Sequence, residues 1–129
     1  MRFMMMVKAN KDYEAGVPPS PELMAAIGKL TEEGIKSGRV LETGGLLPSA
    51  RGARIRVGGG KLTVTDGPFP ETKELIGGFA IIQANSKQEA IEQGSHFMQV
   101  HADVLGPSYE GELEVRQMYD SADCSEGNS

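Results

Sequence analysis

Asp66 is the carboxylate whose position in the sequence best suits acid–base catalysis. It ends an alternating strand pattern and begins the turn Asp66-Gly67-Pro68-Phe69, in which glycine and proline fix the backbone. A carboxylate held partly buried by such a turn has a raised pKa and can act as a general base. Aspartate at the start of a turn also commonly accepts hydrogen bonds from the turn's own amides. The sequence alone leaves both roles open.

The two histidines, His96 and His101, fall in a segment with helical periodicity. On a helix, His101 would share the apolar side of Ala90 and Gly94, whereas His96 would point to solvent. Histidine titrates near neutral pH, so His101 is a candidate acid–base group, with packing or capping as the alternative. His101 and Asp103 are two residues apart, which is a poor helical spacing for shared metal ligation. We therefore predict neither a metal site nor a cofactor.

Three basic side chains and one tyrosine are candidates for binding a substrate. Arg54 and Arg56 share one face of a strand pattern, where two guanidinium groups can clamp a small anionic ligand. Lys73, just after the turn, could bind a carboxylate or stabilise an enolate, and Tyr109 could donate a hydrogen bond at the mouth of a pocket. Each also has a plainer interpretation, as the solvent face of a hairpin, a solvated charge cluster or a packing residue.

The composition limits the classes of function. The 129 residues, of which 39% are hydrophobic and 24% charged, fit one globular domain, which we expect over residues 1–119 with a polar tail at 120–129. The net charge of −5 disfavours nucleic-acid binding. No apolar run reaches the ~20 residues of a membrane span, and the apolar start is too short for a signal peptide. The single cysteine, Cys124, excludes an internal disulfide, and we expect a cytoplasmic protein.

The remaining residues predict six strands and two helices that would position these candidates. Strands that are apolar on both faces are expected at 2–9 and 79–84, with a polar, proline-rich loop at 10–19. Ser20 and Ser86 are suited to begin the helices as N-caps. The other strands are a pair of alternating segments around Gly58-Gly59-Gly60, a segment at 39–47 with a bulge or bend at Gly44-Gly45, and a last one at 112–119.

The order of these elements is strand–helix–strand, an inserted hairpin, and strand–helix–strand. This is the split βαβ, ferredoxin-like arrangement of α+β proteins. Its two central strands are then the two that are apolar on both faces. Two helices cover one face of such a sheet, and a second copy of the chain is the simplest cover for the other face. We therefore predict a homodimer with face-to-face sheets.

The segment Asp66-Gly67-Pro68-Phe69, followed by Glu71-Thr72-Lys73-Glu74 and Gly77-Gly78-Phe79, resembles the DGPF signature of the YCII-related proteins. Residues 2–8 and 44–48 are also similar to that family, so the resemblance covers residues 1–119. It implies a dimeric α+β barrel of ferredoxin-like subunits and a bacterial origin, and some members are associated with sigma factors. One branch has been proposed to use a His–Asp pair, but the first long helix of this sequence contains no histidine.

Three hypotheses of function follow. The first is a cofactor-free enzyme with lyase, isomerase or dehalogenase-like chemistry, in which Asp66 or His101 acts as the base. The alternative is a non-catalytic ligand-binding or regulatory protein associated with sigma-factor signalling. The third is a structural dimer without a pocket. The observation that separates them is whether Asp66, His101 and the arginines converge on one concave site.

Overall fold

The computed structural model of the chain describes residues 1–71 and 74–120. Lys73, Cys124 and nearly all of the predicted tail lie outside the described residues. The elements are listed here in chain order: β1 (Arg2–Lys8), α1 (Lys11–Glu14), α2 (Pro21–Lys36), β2 (Val40–Gly45), a 3₁₀ turn (Ser49–Arg51), β3 (Ala53–Gly58), β4 (Lys61–Asp66), β5 (Ile76–Gln83), α3 (Lys87–Leu105) and β6 (Leu113–Gln117).

Four strands form an antiparallel sheet in the order β2-β5-β1-β6. The first strand and the 79–84 strand are therefore central, as the apolar character of both their faces predicts. Strands β3 and β4 form a separate two-stranded sheet. This confirms the α+β, ferredoxin-like fold with an inserted hairpin.

Both long helices begin where the sequence predicts. The Ser20 hydroxyl accepts a hydrogen bond from the Leu23 N–H, and the Ser86 hydroxyl accepts one from the Glu89 N–H. Each cap satisfies an N–H group that the first helical turn leaves without a partner. The predicted loop at 10–19 contains one further helical turn, α1, because the Asn10 side chain caps it by accepting from the Tyr13 N–H.

The core lies between the helices and one face of the four-stranded sheet. Gly94 of α3 faces Met5, Leu113 and Val115, and Gly34 of α2 faces Val40, so both helices cover the same face. The glycines allow this close approach because a Cβ at either position would crowd the facing side chains. The core consists of the buried residues Phe3, Met5, Ile82, Ala84 and Ala90, with Val40, Ala80, Leu113 and Val115 partly buried around them.

The opposite face of this sheet, which we call the outer face, is also apolar at its centre. Strand alternation and the strand register direct Met4 and Met6 of β1, and Phe79 and Ile81 of β5, away from the helices. All four side chains are half-buried. The outer face is therefore the surface that the sequence assigns to a second copy of the chain.

Strand β2 differs from the prediction in one detail. The register shift lies between Val40 and Glu42, whereas Gly44 and Gly45 pair regularly with β5. The predicted bulge at the glycine pair is thus wrong. Gly44 has another role, since a Cβ there would lie 2.9 Å from the ring of Phe79 on the neighbouring strand.

Candidate functional site

The turn at Asp66–Phe69 is seated against the 3₁₀ turn at the base of the hairpin. The Gly67 N–H donates to the Gly52 carbonyl at 3.0 Å, and the Phe69 N–H donates to the Ser49 hydroxyl at 3.0 Å. The Gly67–Pro68 peptide bond is cis. A Cβ at Gly67 would overlap the Ser49 carbonyl oxygen, so only glycine fits at this point of the turn.

Glu14 of α1 holds the other side of Ser49. Its carboxylate accepts hydrogen bonds from the Ser49 N–H at 2.7 Å and from the Ser49 hydroxyl. The preceding residue, Tyr13, donates its hydroxyl hydrogen to the Gly77 carbonyl of β5 at 2.5 Å. The sequence does not reveal the role of Tyr13 and Glu14 because both lie in a segment predicted to be a loop. No local pattern links Glu14 to Ser49, which is 35 residues away.

Arg54 is bound at the same base. Its guanidinium group lies 3.0 Å from the Glu71 carboxylate and stacks 4.0 Å from the centroid of the Phe69 ring. The hydrogen bond from Arg54 lowers the pKa of the Glu71 carboxyl below its ordinary value. Arg56 shares the hairpin face of Arg54 and is exposed. The structure thus supplies an internal carboxylate partner for Arg54, and the anion clamp by the two arginines stays a prediction.

Asp66 lies at the end of β4, opposite Ala53. Its side chain is exposed and makes no hydrogen bond or ion pair within residues 1–71 and 74–120. A general base needs walls that exclude water, and this exposed position lacks them. Its catalytic role stays a prediction.

His101 lies on the buried side of α3 and His96 is exposed, as the helical spacing predicts. The His101 ring has Nδ1 3.0 Å from the Phe97 carbonyl oxygen and stacks on Tyr109 with ring centroids 5.6 Å apart. Burial raises the pKa of Tyr109. Tyr109 borders a polar depression of about 480 Å³ that also includes Asn10, Lys11, Asp12, Leu105, Ser108 and Glu110.

Asp66 and His101 therefore have different surroundings. One ends the exposed hairpin, and the other packs between α3 and the loop that follows it. No hydrogen bond, ion pair or ring contact joins them in the part of the chain that the structure describes. Within that part there is also no cluster of three or more His, Cys, Asp or Glu placed to hold a metal ion.

A concave site of about 710 Å³ lies as a cleft between the helix layer and the sheet. This volume lies in the range of small-molecule sites, which are mostly apolar with a few polar groups. Its wall is largely apolar, and the apolar residues that line it from the helices and from the helix-covered face of the sheet are Met5, Val7, Met24, Ile27, Leu30, Val40, Ala80, Ile82, Phe97 and Leu113. Five glycines also line it, namely Gly28, Gly34, Gly44, Gly45 and Gly78. Of these, Gly28 and Gly45 leave open space where a side chain would stand.

The polar groups of the cleft lie mainly on α3. Glu89, Glu92, Gln93 and His96 are three or four residues apart and so share one face of the helix. The helical spacing predicts that His96 faces solvent, and nothing in the sequence places it at this cleft. On α2, Ile27 and Leu30 are half-buried at the cleft wall.

Two comparisons with known proteins bear on this site. The sequence model of the YCII-related domain matches residues 1–105. An uncharacterised protein of Rhizobium meliloti (strain 1021) is 31% identical over 70 residues, which are 54% of this chain. The matched segment spans 56% of that relative's length. No helix among residues 1–71 and 74–120 has the length and apolar character needed to cross a membrane.

Proposed function

The chain belongs to the YCII-related family, and from the geometry of its cleft we propose that it binds a small, largely apolar molecule between the helix layer and the sheet. The observation that carries this proposal is the apolar cleft of about 710 Å³. A cleft of this size can enclose most of a small ligand and remove its apolar surface from water.

The polar residues at the cleft support recognition of one polar end of the ligand. Glu89, Glu92 and His96 line the cleft from a single helix, so they can orient a ligand that enters with its polar group toward α3. Gln93 has its amide bound to the Gln83 carbonyl at 3.0 Å and stiffens that wall.

Ligand binding is favoured over acid–base catalysis by the placement of the candidate catalytic residues. Neither Asp66 nor His101 lines the cleft. A cofactor-free lyase, isomerase or dehalogenase-like reaction at this cleft would have to use Glu89, Glu92 or His96 as its base. Glu92 and His96 are exposed to solvent, and Glu89 is only half-buried. We therefore propose a binding protein, in line with the alternative that the sequence left open.

Binding of anilinonaphthalene sulfonate, an apolar dye with one charged group, tests the proposal. The chain contains no tryptophan, so energy transfer from an indole ring does not contribute to the dye fluorescence. We expect saturable binding of about one dye per chain. Gly28→Leu should weaken it at least about tenfold, because Gly28 lines the cleft and a side chain there meets open space.

Ala25→Leu is the matched control for that variant. Ala25 lies on the same helix and is exposed, and it does not line the cleft. The control should bind the dye like the original chain. Equal binding by the Gly28→Leu protein, or dye-induced NMR shifts confined to the hairpin, would contradict the proposal.

We also propose that the functional unit is a homodimer that covers the outer face of each sheet. The support is the apolar centre of that face, formed by Met4, Met6, Phe79 and Ile81, together with the placement of both long helices on the opposite side. Light scattering tests the dimer. A mass near 13.8 kDa at every protein concentration would contradict it.

A further inference from the structure

The hairpin β3–β4 carries an apolar face that its own chain leaves exposed. The register pairs Ile55 with Val64 and Val57 with Leu62, so these four side chains lie on one face of the ribbon. They are 71%, 64%, 70% and 72% exposed, respectively. A contiguous exposed apolar surface of this kind is typical of an interaction site.

The hairpin is also held in a defined position at its base. Gly67 is hydrogen-bonded to Gly52, Phe69 to Ser49, and Ser49 to Glu14. An isolated two-stranded ribbon is only marginally stable in water, so this fixed base matters for its conformation. A preorganised surface loses less conformational entropy on binding than a flexible loop does.

The charge of the hairpin is opposite to that of the rest of the chain. Residues 53–66 contain Arg54, Arg56 and Lys61 against Asp66, for a net charge of +2. Since the whole chain carries −5, the remaining residues carry −7. Charge complementarity of this kind favours encounter between the hairpin of one copy and the body of another.

We propose that the hairpin is an arm that packs its apolar face on a second copy of this chain, beside the outer face of the partner's sheet. The inference rests on the homodimer proposed above and is independent of ligand binding. The second copy is the occupant that the structure favours because it offers both an acidic body and an apolar outer face. With twofold symmetry, each chain would give one arm and receive one.

Photo-cross-linking between differently labelled copies tests the arm. Leu62 is replaced by p-benzoylphenylalanine in an unlabelled chain, which is mixed with isotope-labelled original chain and irradiated. We expect cross-linked peptides that join labelled and unlabelled copies. The same replacement at Thr63, on the opposite face of the ribbon, is the matched control and should give several-fold fewer.

A second measurement uses the dimer dissociation constant from sedimentation equilibrium. The double variant Val57→Ser, Leu62→Ser should raise that constant at least about tenfold. The control Thr63→Ser, Thr65→Ser should leave it unchanged. Increasing NaCl from about 0.05 to about 0.5 M should also weaken the dimer, because salt screens the attraction between arm and body.

The outcomes separate the two proposals. The arm is overturned if the double variant dimerises as tightly as the original chain, or if the cross-linker at position 62 gives cross-links only within one chain. Either result leaves the sheet-face dimer standing. An original chain that stays at 13.8 kDa at every protein concentration overturns both proposals. Dye binding at the cleft should survive the double variant in every case.

Discussion

The four-stranded sheet and the two-stranded hairpin both carry apolar strand faces, but only the sheet buries one of them within its own chain. In β1 and β5 the side chains on one face are packed under two helices, and Phe3 and Ile82 are almost completely buried. In β3 and β4 apolar residues alternate regularly with polar ones, yet every residue is exposed. The sheet is stabilised by its apolar core, whereas the hairpin depends on polar contacts at its base. Alternation in a sequence therefore predicts a strand but does not tell what covers it.

Truncation of matched isoleucines should give the largest contrast between the two regions. Ile82→Ala removes a fully buried side chain from the core and should lower the free energy of unfolding by about 3 kcal/mol. Ile55→Ala removes a side chain that is mostly exposed and should lower it by less than about 0.5 kcal/mol in dilute protein. Urea unfolding followed by circular dichroism measures both.

Unfolding of these two variants at several protein concentrations shows whether the hairpin packs on a second copy. If the arm packs on a second copy, the cost of Ile55→Ala should grow as the concentration rises, because unfolding then includes dissociation. The cost of Ile82→Ala should be high already at the lowest concentration. A large, concentration-independent cost of Ile55→Ala would mean that the hairpin packs on its own chain.

Two glycine-to-alanine variants compare the base of the hairpin with the edge of the sheet. Gly67→Ala should lower the free energy of unfolding by about 2 kcal/mol, since its Cβ would overlap the Ser49 carbonyl and force the turn to shift. Gly45→Ala meets open space and should change it by less than about 0.5 kcal/mol. Equal effects in urea unfolding would show that the turn relaxes around the added methyl group.

Acid should have the smallest effect, and it acts in both regions. The pKa values of Glu71 at the hairpin and Glu114 on the sheet are lowered by hydrogen bonds from Arg54 and Arg116, respectively. A carboxyl whose pKa is lowered by folding stabilises the folded state at pH values above its ordinary pKa of 4.5. This contribution is lost as the pH falls through the lowered pKa of the folded state.

Single glutamine variants separate the two contributions to acid sensitivity. Glu71 is exposed and Glu114 is half-buried at the surface of the sheet, so each loss should be small and should shrink further in high salt. Glu71→Gln and Glu114→Gln should each flatten the dependence of unfolding free energy on pH below 4.5. An unchanged pH dependence in either variant would mean that its ion pair contributes nothing to stability.

The parts of the fold that the sequence predicts are those decided by near neighbours. Ser20 and Ser86 cap their helices through contacts three residues away, and the alternation of Ile55 and Val57 defines a strand by itself. The split βαβ topology follows because the two strands that are apolar on both faces must be central.

The parts that could not be predicted depend on distances between remote segments. The pairing of Glu14 with Ser49 joins two loops, and neither residue type is unusual for a loop. The cleft depends on the distance between α2 and the sheet. Gly28 and Gly45 contribute to it because they have no side chain to fill the open space beside them. The separate surroundings of Asp66 and His101 likewise follow from the tertiary arrangement and from no local pattern.

The contacts at Ser49 determine the direction in which the hairpin points, whereas the strands of the hairpin determine which side chains it exposes. Glu14, Gly67 and Phe69 set where the hairpin points, and all three lie outside its exposed tip. The strands between Ala53 and Asp66 contribute no residue to the buried core. Their apolar face can therefore change over generations without disturbing the core of its own subunit, and the outer face of the second copy is the surface that would have to change with it.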